Sequence, residues 1–370
     1  MKKRKIVVLI LALLLIVSPI LEVKAYNGDL KNETFYKAKI IKIENFKLDE
    51  EKKNQELNEY MTMEVEIIKG DRKGEVVTII EHLIENSSFF VDYKLGDRVI
   101  IFDTNKESYM EDFHIYDFYR SDWMVYLLIF FGLVVLMIGK FSGLKALVTL
   151  AISIGLVMVI LPLILKGYSP FILALLAAIL MTVITILIVA GFKKKSLAAI
   201  LGTLIGVALA ALIAYFVGNK ANITGLSSEE AMMIKFIPNV SISPRSLLYS
   251  GVLLGALGAV MDVGMSIASS IEEISKANPD LSQKELYKSG MNVGKDIMGT
   301  MTNTLVLAYL GSSLPLLILF YIYNQNSPKF YNMDIIVTEV IRTIAGSIGL
   351  MVSIPITAII SARMYTNKKR

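Results

Sequence analysis

Residues 247–274 read LLYSGVLLGALGAVMDVGMSIASSIEEI, an apolar run of membrane-spanning length with an acid, Asp262, inside it. About 18 or more apolar residues in a row are read as a spanning helix. A carboxylate within such a helix is costly, and such residues usually face a bundle interior or an aqueous path. Steps of three and four residues place Gly251, Gly255, Gly258, Asp262, Ser266 and Glu273 along one helical stripe. A face of small residues that ends in an acid reads as a packing surface with an ionisable group to carry.

The composition agrees with this reading. Hydrophobic residues make up 54% of the 370 and mean hydropathy is +0.58, well above a soluble globular chain. There are no cysteines, which excludes disulfides, thiolate chemistry and cysteine-ligated metals. The two histidines, His82 and His114, are too few for a histidine metal cluster. The net charge of +5 does not point to nucleic acid, because the basic residues gather at the edges of apolar runs and report orientation instead.

The N-terminus, Met1-Lys-Lys-Arg-Lys5 and then Ile6 to Ile20, has the form of a signal peptide or an uncleaved signal anchor, with Val23-Lys-Ala25 as a cleavage site. Either way, residues 1–25 would direct the export of the polar segment next to them. That segment, residues 26–121, is rich in alternating stretches, at 36–43, 61–68, 75–80, 89–93 and 98–102, with turns at 69–74 and 95–97. Five or six short strands in such a length suggest a small barrel or sandwich, OB-like in pattern. The charged stretch 48–57 reads as a surface loop or short helix.

Residues 122–370 form the helical part. Seven spans are expected, near 123–139, 144–165, 170–191, 196–217, 247–269, 297–320 and 336–362. The fold class is thus an all-α polytopic membrane bundle with a small exported β-rich domain. If 26–121 lies outside, Lys140, Lys145, Lys193 to Lys195, Lys276, Lys284, Lys288, Lys295, Arg363 and the basic C-terminus all fall inside. They outnumber the basic residues of the outer loops (Lys166, Lys220, Lys235, Arg245 and Lys329), which implies a cytoplasmic C-terminus. The loop 218–246 reads as a connector. Ser282 and Glu285 form a capping box that opens a short inner helix, expected to stop near Gly290.

The next span brings Asp296, Thr300, Asn303 and Thr304 to one face. At 1.5 Å per residue Asn303 lies roughly 9 Å deep and Asp262 roughly 13 Å deep, both in the inner half. Neighbouring helices would let Thr300 and Asn303 hydrogen-bond Asp262, an arrangement that suits a site for taking up and releasing a proton or cation. Hydroxyls and glycine steps such as Gly202–Gly206 also serve helix packing, the role expected for Gly251, Gly255 and Gly258. Glu272 and Glu273 fall near the interface, where charge costs little. Arg342 is too far from Asp262 to pair with it, and is expected to snorkel or to find another partner. No phosphate-binding loop, dinucleotide fingerprint, nucleophile elbow or zinc-protease motif is present, so neither a cofactor nor an enzymatic activity is expected.

The stretches 261–273, 289–305 and 308–315 resemble the YibE/F family of bacterial membrane proteins, a likeness that extends to the exported domain and implies topology more than mechanism. The block 247–362 is also similar to the second half of SecD/SecF and related resistance–nodulation–division permeases. That second resemblance implies proton-driven work for Asp262. Two additional spans precede the matching block here, and the exported domain carries no shared motif. Two functions remain open. One is a permease-like protein for an unknown solute, coupled to a proton or ion through Asp262. The other is a non-transporting scaffold or assembly factor whose β domain binds an envelope partner.

Overall fold

A computed structural model describes residues 34–47, 59–83, 93–103, 113–238, 240–322 and 328–366. The signal or anchor segment and the charged stretch 48–57 lie outside the described residues, as does most of the strand expected at 89–93. The chain divides into two compact units, one ending at Val135 and one continuing from Leu136.

The first unit is a five-stranded antiparallel sheet of β1 (Thr34–Lys47), β2 (Glu59–Lys69), β3 (Val76–Leu83), β4 (Arg98–Asp103) and β5 (Phe113–Phe118), in the order β3-β2-β1-β4-β5. Strict alternation builds it: Met61, Met63, Val65 and Ile67 are buried on β2 while Thr62, Glu64 and Glu66 point away. Ala38, Ile40, Ile79, Val99 and Ile101 fill the same core. Register shifts in β1 after Lys37 and Ile40 bend the sheet, as extra residues in one strand do. The β2–β3 turn has left-handed backbone at Gly70 (φ 113°) and Gly74 (φ 89°), which glycine adopts without a Cβ penalty. β5 is not among the expected strands; its sequence, FHIYDF, lacks clean alternation, and it is only partly buried.

The second unit is helical, and its first helix starts in the sheet unit. The helices are α1 (Ser121–Leu165), α2 (Pro170–Ala190), α3 (Lys194–Lys220), α4 (Glu229–Phe236), α5 (Pro244–Ala277), α6 (Gln283–Ser312), α7 (Leu314–Ile322), α8 (Pro328–Tyr331) and α9 (Asp334–Tyr365). Among the described residues five are long and apolar enough to cross a membrane: α1, α2, α3, α5 and α9. The two spans expected within 121–165 fall on α1, where Lys140 (φ 47°, ψ −122°) breaks the helical backbone. At about 1.5 Å per residue, 45 residues exceed the thickness of one bilayer twofold. The span expected at 297–320 is divided between α6 and α7, and its polar residues make α6 less apolar than the other five.

The core is made where α3, α5 and α9 meet. α3 presents Ala199, Gly202, Thr203, Gly206, Val207 and Ala210, so backbones approach closely. A Cβ at Gly206 would stand 2.7 Å from the Gly349 carbonyl oxygen, and one at Gly349 would stand 2.6 Å from that of Gly206. These two glycines are where α3 and α9 cross. α6 packs on α9 and α5. Its capping box is present, with the Glu285 N–H donating to Ser282 Oγ at 3.3 Å and Glu285 Oε2 accepting from the Ser282 N–H at 2.8 Å. The helix does not stop at Gly290. Gly290 and Gly294 instead lie against Ile271 and Ile354, where a side chain would collide, so the glycines serve a helix crossing.

Candidate functional site

α5 buries one face, from Val252 and Leu253 through Ala256, Val260, Val263 and Ile267 to Ile271. The stripe read from the sequence is the other face. Gly251, Gly255, Gly258, Asp262 and Ser266 are all exposed at the surface of the bundle. Of the three glycines only Gly255 has a neighbour, the Tyr309 hydroxyl; Gly251 and Gly258 face open space among the described residues. Among the described residues, nothing packs against Gly251 or Gly258.

The pairing of α5 with α6 sets the level of the acid. Gly255 lies beside Tyr309, Ile267 beside Gly294 and Ile271 beside Gly290, so the helices run antiparallel. Asp262, between Gly255 and Ile267, is level with the turn that contains Thr300. Asp296, Thr300, Asn303 and Thr304 are also exposed on α6. The residues proposed from sequence thus occupy adjoining helices at a shared level, on surfaces that no described residue covers.

The hydrogen bonds expected from Thr300 and Asn303 to Asp262 are not formed. Thr300 Oγ1 donates to the Ile297 carbonyl at 3.0 Å, and Thr304 Oγ1 to the Thr300 carbonyl at 2.9 Å. Such back-bonding satisfies a hydroxyl within its own helix. Asp262, Asp296 and Asn303 have no hydrogen-bond or ion-pair partner among the described residues, so the acid and the amide are both available to something else. Ser266 contributes its carbonyl to Ser270 Oγ at 2.9 Å.

Three further polar groupings are not evident from the sequence. Arg342 has another partner, the second of the two alternatives expected: its Nη1 is 2.8 Å from Glu339 Oε1, one helical turn away on α9. The (i, i+3) spacing of Glu339 and Arg342 is the available signal. Beside them the buried Tyr309 hydroxyl, Glu339 Oε2 and Arg342 Nε lack partners among the described residues. Tyr309 and Glu339 also line a cavity of about 310 Å³ with Leu317, Tyr331, Val340 and Ile344.

Glu272 is the second. It is buried within the bundle, with Lys195 Nζ 2.6 Å from Oε2 and Lys276 Nζ 3.4 Å from Oε1. The Lys195 backbone N–H donates to the Tyr365 hydroxyl at 3.1 Å, so the ends of α3, α5 and α9 are tied together. Glu273 is exposed and pairs with Lys276 at 2.8 Å. The third grouping is a row of buried hydroxyls, Ser353, Thr357 and Ser361, one turn apart along α9. Thr203 Oγ1 on α3, Thr357 Oγ1 and Ser361 Oγ have no partner among the described residues, and the first two lie against Gly264 of α5.

A bundle of membrane-length apolar helices that holds an acid, an ion pair and hydroxyls along their length defines an integral membrane protein. The chain belongs to the YibE/F-like protein family, whose pattern it matches over residues 127–367. That match starts beyond the sheet. No curated protein and no solved structure matches the chain, and the likeness of 247–362 to SecD/SecF finds no support.

Proposed function

We propose that this protein is a permease-like membrane protein that moves a small solute or ion, with Asp262 as the group that takes up and releases a proton or cation. The observation that carries the reading is the unpartnered Asp262, level with Thr300 and close in height to Asn303. A carboxylate at that position is too costly to serve as inert surface, so it requires water, an ion or a covering polar group. Ser266, Asp296, Thr300, Asn303 and Thr304 supply oxygen and amide ligands above and below it. No enzymatic step is assigned.

The proposal includes seven spans, counting α1 as two segments divided at Lys140 and α6 with α7 as one crossing. It places 26–121 outside a bacterial cell membrane and the C-terminus in the cytoplasm, which the positions of the lysines and arginines support. The strand order β3-β2-β1-β4-β5, with β3 and β5 approaching each other, supports an OB-like reading of the exported domain.

One observation favours a second reading. Asp262, Gly251 and Gly258 face off the bundle, as they would if another membrane helix docked there. In that case the protein is a scaffold or assembly factor, and its exported sheet binds an envelope partner. Proton flux separates the two. Proteoliposomes containing a pH-sensitive dye, under an imposed potassium diffusion potential, should acidify with the wild-type protein and not with Asp262→Asn. Equal flux in both would remove Asp262 from the coupling step.

A further inference from the structure

The cleft at the start of α1 uses none of the residues invoked above. It encloses about 560 Å³ within the sheet unit and is lined by Asp97, Arg98, Arg120, Asp122, Trp123 and Tyr126 among others. Each guanidinium spends one nitrogen on a carboxylate: Arg98 Nη1 is 2.7 Å from Asp122 Oδ2, and Arg120 Nη1 is 2.5 Å from Asp117 Oδ2. An arginine has five N–H donors, so most of both forks remain for a ligand. Lys37 Nζ, 3.1 Å from Asp122 Oδ2 and 3.5 Å from the Tyr119 ring centre, offsets the same carboxylate. The Asp97 carboxylate accepts only the Lys94 N–H, at 2.9 Å, among the described residues, and can receive a cation.

The position of the cleft narrows the ligand. Trp123 and Tyr126 stand in the first turns of a helix with membrane-spanning composition, 77% and 60% exposed, their rings edge-to-face at 5.9 Å. Tryptophan and tyrosine at such helix ends sit at headgroup depth. Beyond them Leu127, Leu128, Phe130 and Phe131 continue an exposed apolar wall along the helix. Two forked donors, a carboxylate and an aromatic wall, leading into an apolar track, match a zwitterionic phospholipid taken end-on. We infer that this cleft binds the headgroup of a bilayer lipid of the phosphatidylethanolamine class, its phosphodiester on Arg98 and Arg120 and its ammonium on Asp97.

Trp123 is the single tryptophan of the chain, so its emission reports the cleft directly. The full-length protein in detergent is titrated with a short-chain phosphatidylethanolamine, and separately with glycerol phosphate and with inorganic phosphate. The wild type should give a saturable change with the lipid alone. Arg120→Gln should raise the half-saturating concentration about tenfold, as expected when a charged hydrogen-bond donor is lost. Arg120→Lys, which keeps the charge and the exposed pairing with Asp117, guards against a folding defect and should fall between. A linear response in the wild type, or an unchanged half-saturation in Arg120→Gln, overturns the site. Equal responses to inorganic phosphate or glycerol phosphate overturn the assignment to lipid.

Discussion

The hydroxyl of Tyr309 lies 2.7 Å from the point at which a Cβ on Gly255 would stand. That contact fixes the height of α6 against α5 and brings Thr300 level with Asp262. It also gives Gly255 a role that Gly251 and Gly258, open on the same stripe, do not share. Gly255→Ala should therefore lower thermal stability in detergent by about 1 kcal/mol, the low end of overpacking, because the atom that must move is the end of a side chain. Tyr309→Phe in the same chain should recover most of it. Gly251→Ala should be close to neutral, and equal losses at Gly251 and Gly255 would contradict the register.

The pair of Glu272 with Lys195 is the tightest charged contact in the helical unit, at 2.6 Å with side-chain exposures of 7% and 16%. Removing one partner of a buried pair strands the other, at roughly 3–5 kcal/mol. Glu272→Gln is expected near the lower limit because Lys195 is partly exposed, and Lys195→Met is expected to lose less still, because Lys276 continues to reach the carboxylate. Thermal unfolding of Glu272→Gln, Lys195→Met and the double variant checks this. The double variant should lose less than the two single losses together.

Glu339 and Arg342 stand one turn apart within α9, and their orphaned atoms make the site intolerant of a net charge. Glu339→Gln should reduce the yield of folded protein more than Glu339→Gln with Arg342→Gln. Size-exclusion chromatography of the detergent extract compares them. A single variant that behaves as well as the wild type would show that the pair is not needed to neutralise Arg342.

The sheet unit should lose stability in acid. The Arg120 guanidinium and then the Phe118 N–H hold the Asp117 carboxyl below its ordinary value, and the Arg72 guanidinium does the same for Glu75. A carboxylate depressed in the folded state contributes stability that is present above its unfolded value, near 4, and is lost as pH falls through the folded one. Amide protection factors in β2, β3 and β5, taken relative to the intrinsic exchange rate at each pH, should accordingly fall between pH 5 and about pH 3. Protection that is unchanged at pH 3 would remove these pairs from the stability of the sheet.

The helices of the core are legible in the sequence because their apolar runs are long and their small residues recur at helical steps, as at Gly202, Gly206 and Ala210. The same periodicity puts Asp262 and Thr300 on neighbouring helices, but a stripe does not state which side of a helix meets the bundle. That side is decided by the wider apolar face from Val252 to Ile271, which turns Asp262 outward. Gly290 reads as a terminator because glycine commonly ends helices, whereas here its missing Cβ admits Ile271. Glu339 is inconspicuous inside an apolar run, although Arg342 three residues on marks it. β5 escapes a sequence reading because FHIYDF has neither strict alternation nor a β-branched run.

Dicyclohexylcarbodiimide partitions into bilayers and reacts with protonated carboxyl groups, so it tests the role of Asp262 without knowledge of the solute. Protein in lipid nanodiscs is treated at pH 6 and pH 9, and adducts are located by peptide mass spectrometry. Labelling at Asp262 should exceed labelling at Asp296, fall at the higher pH and disappear in Asp262→Asn. An unlabelled Asp262 in a fully recovered 247–274 peptide would contradict a proton-carrying role and leave the acid as part of a docking face.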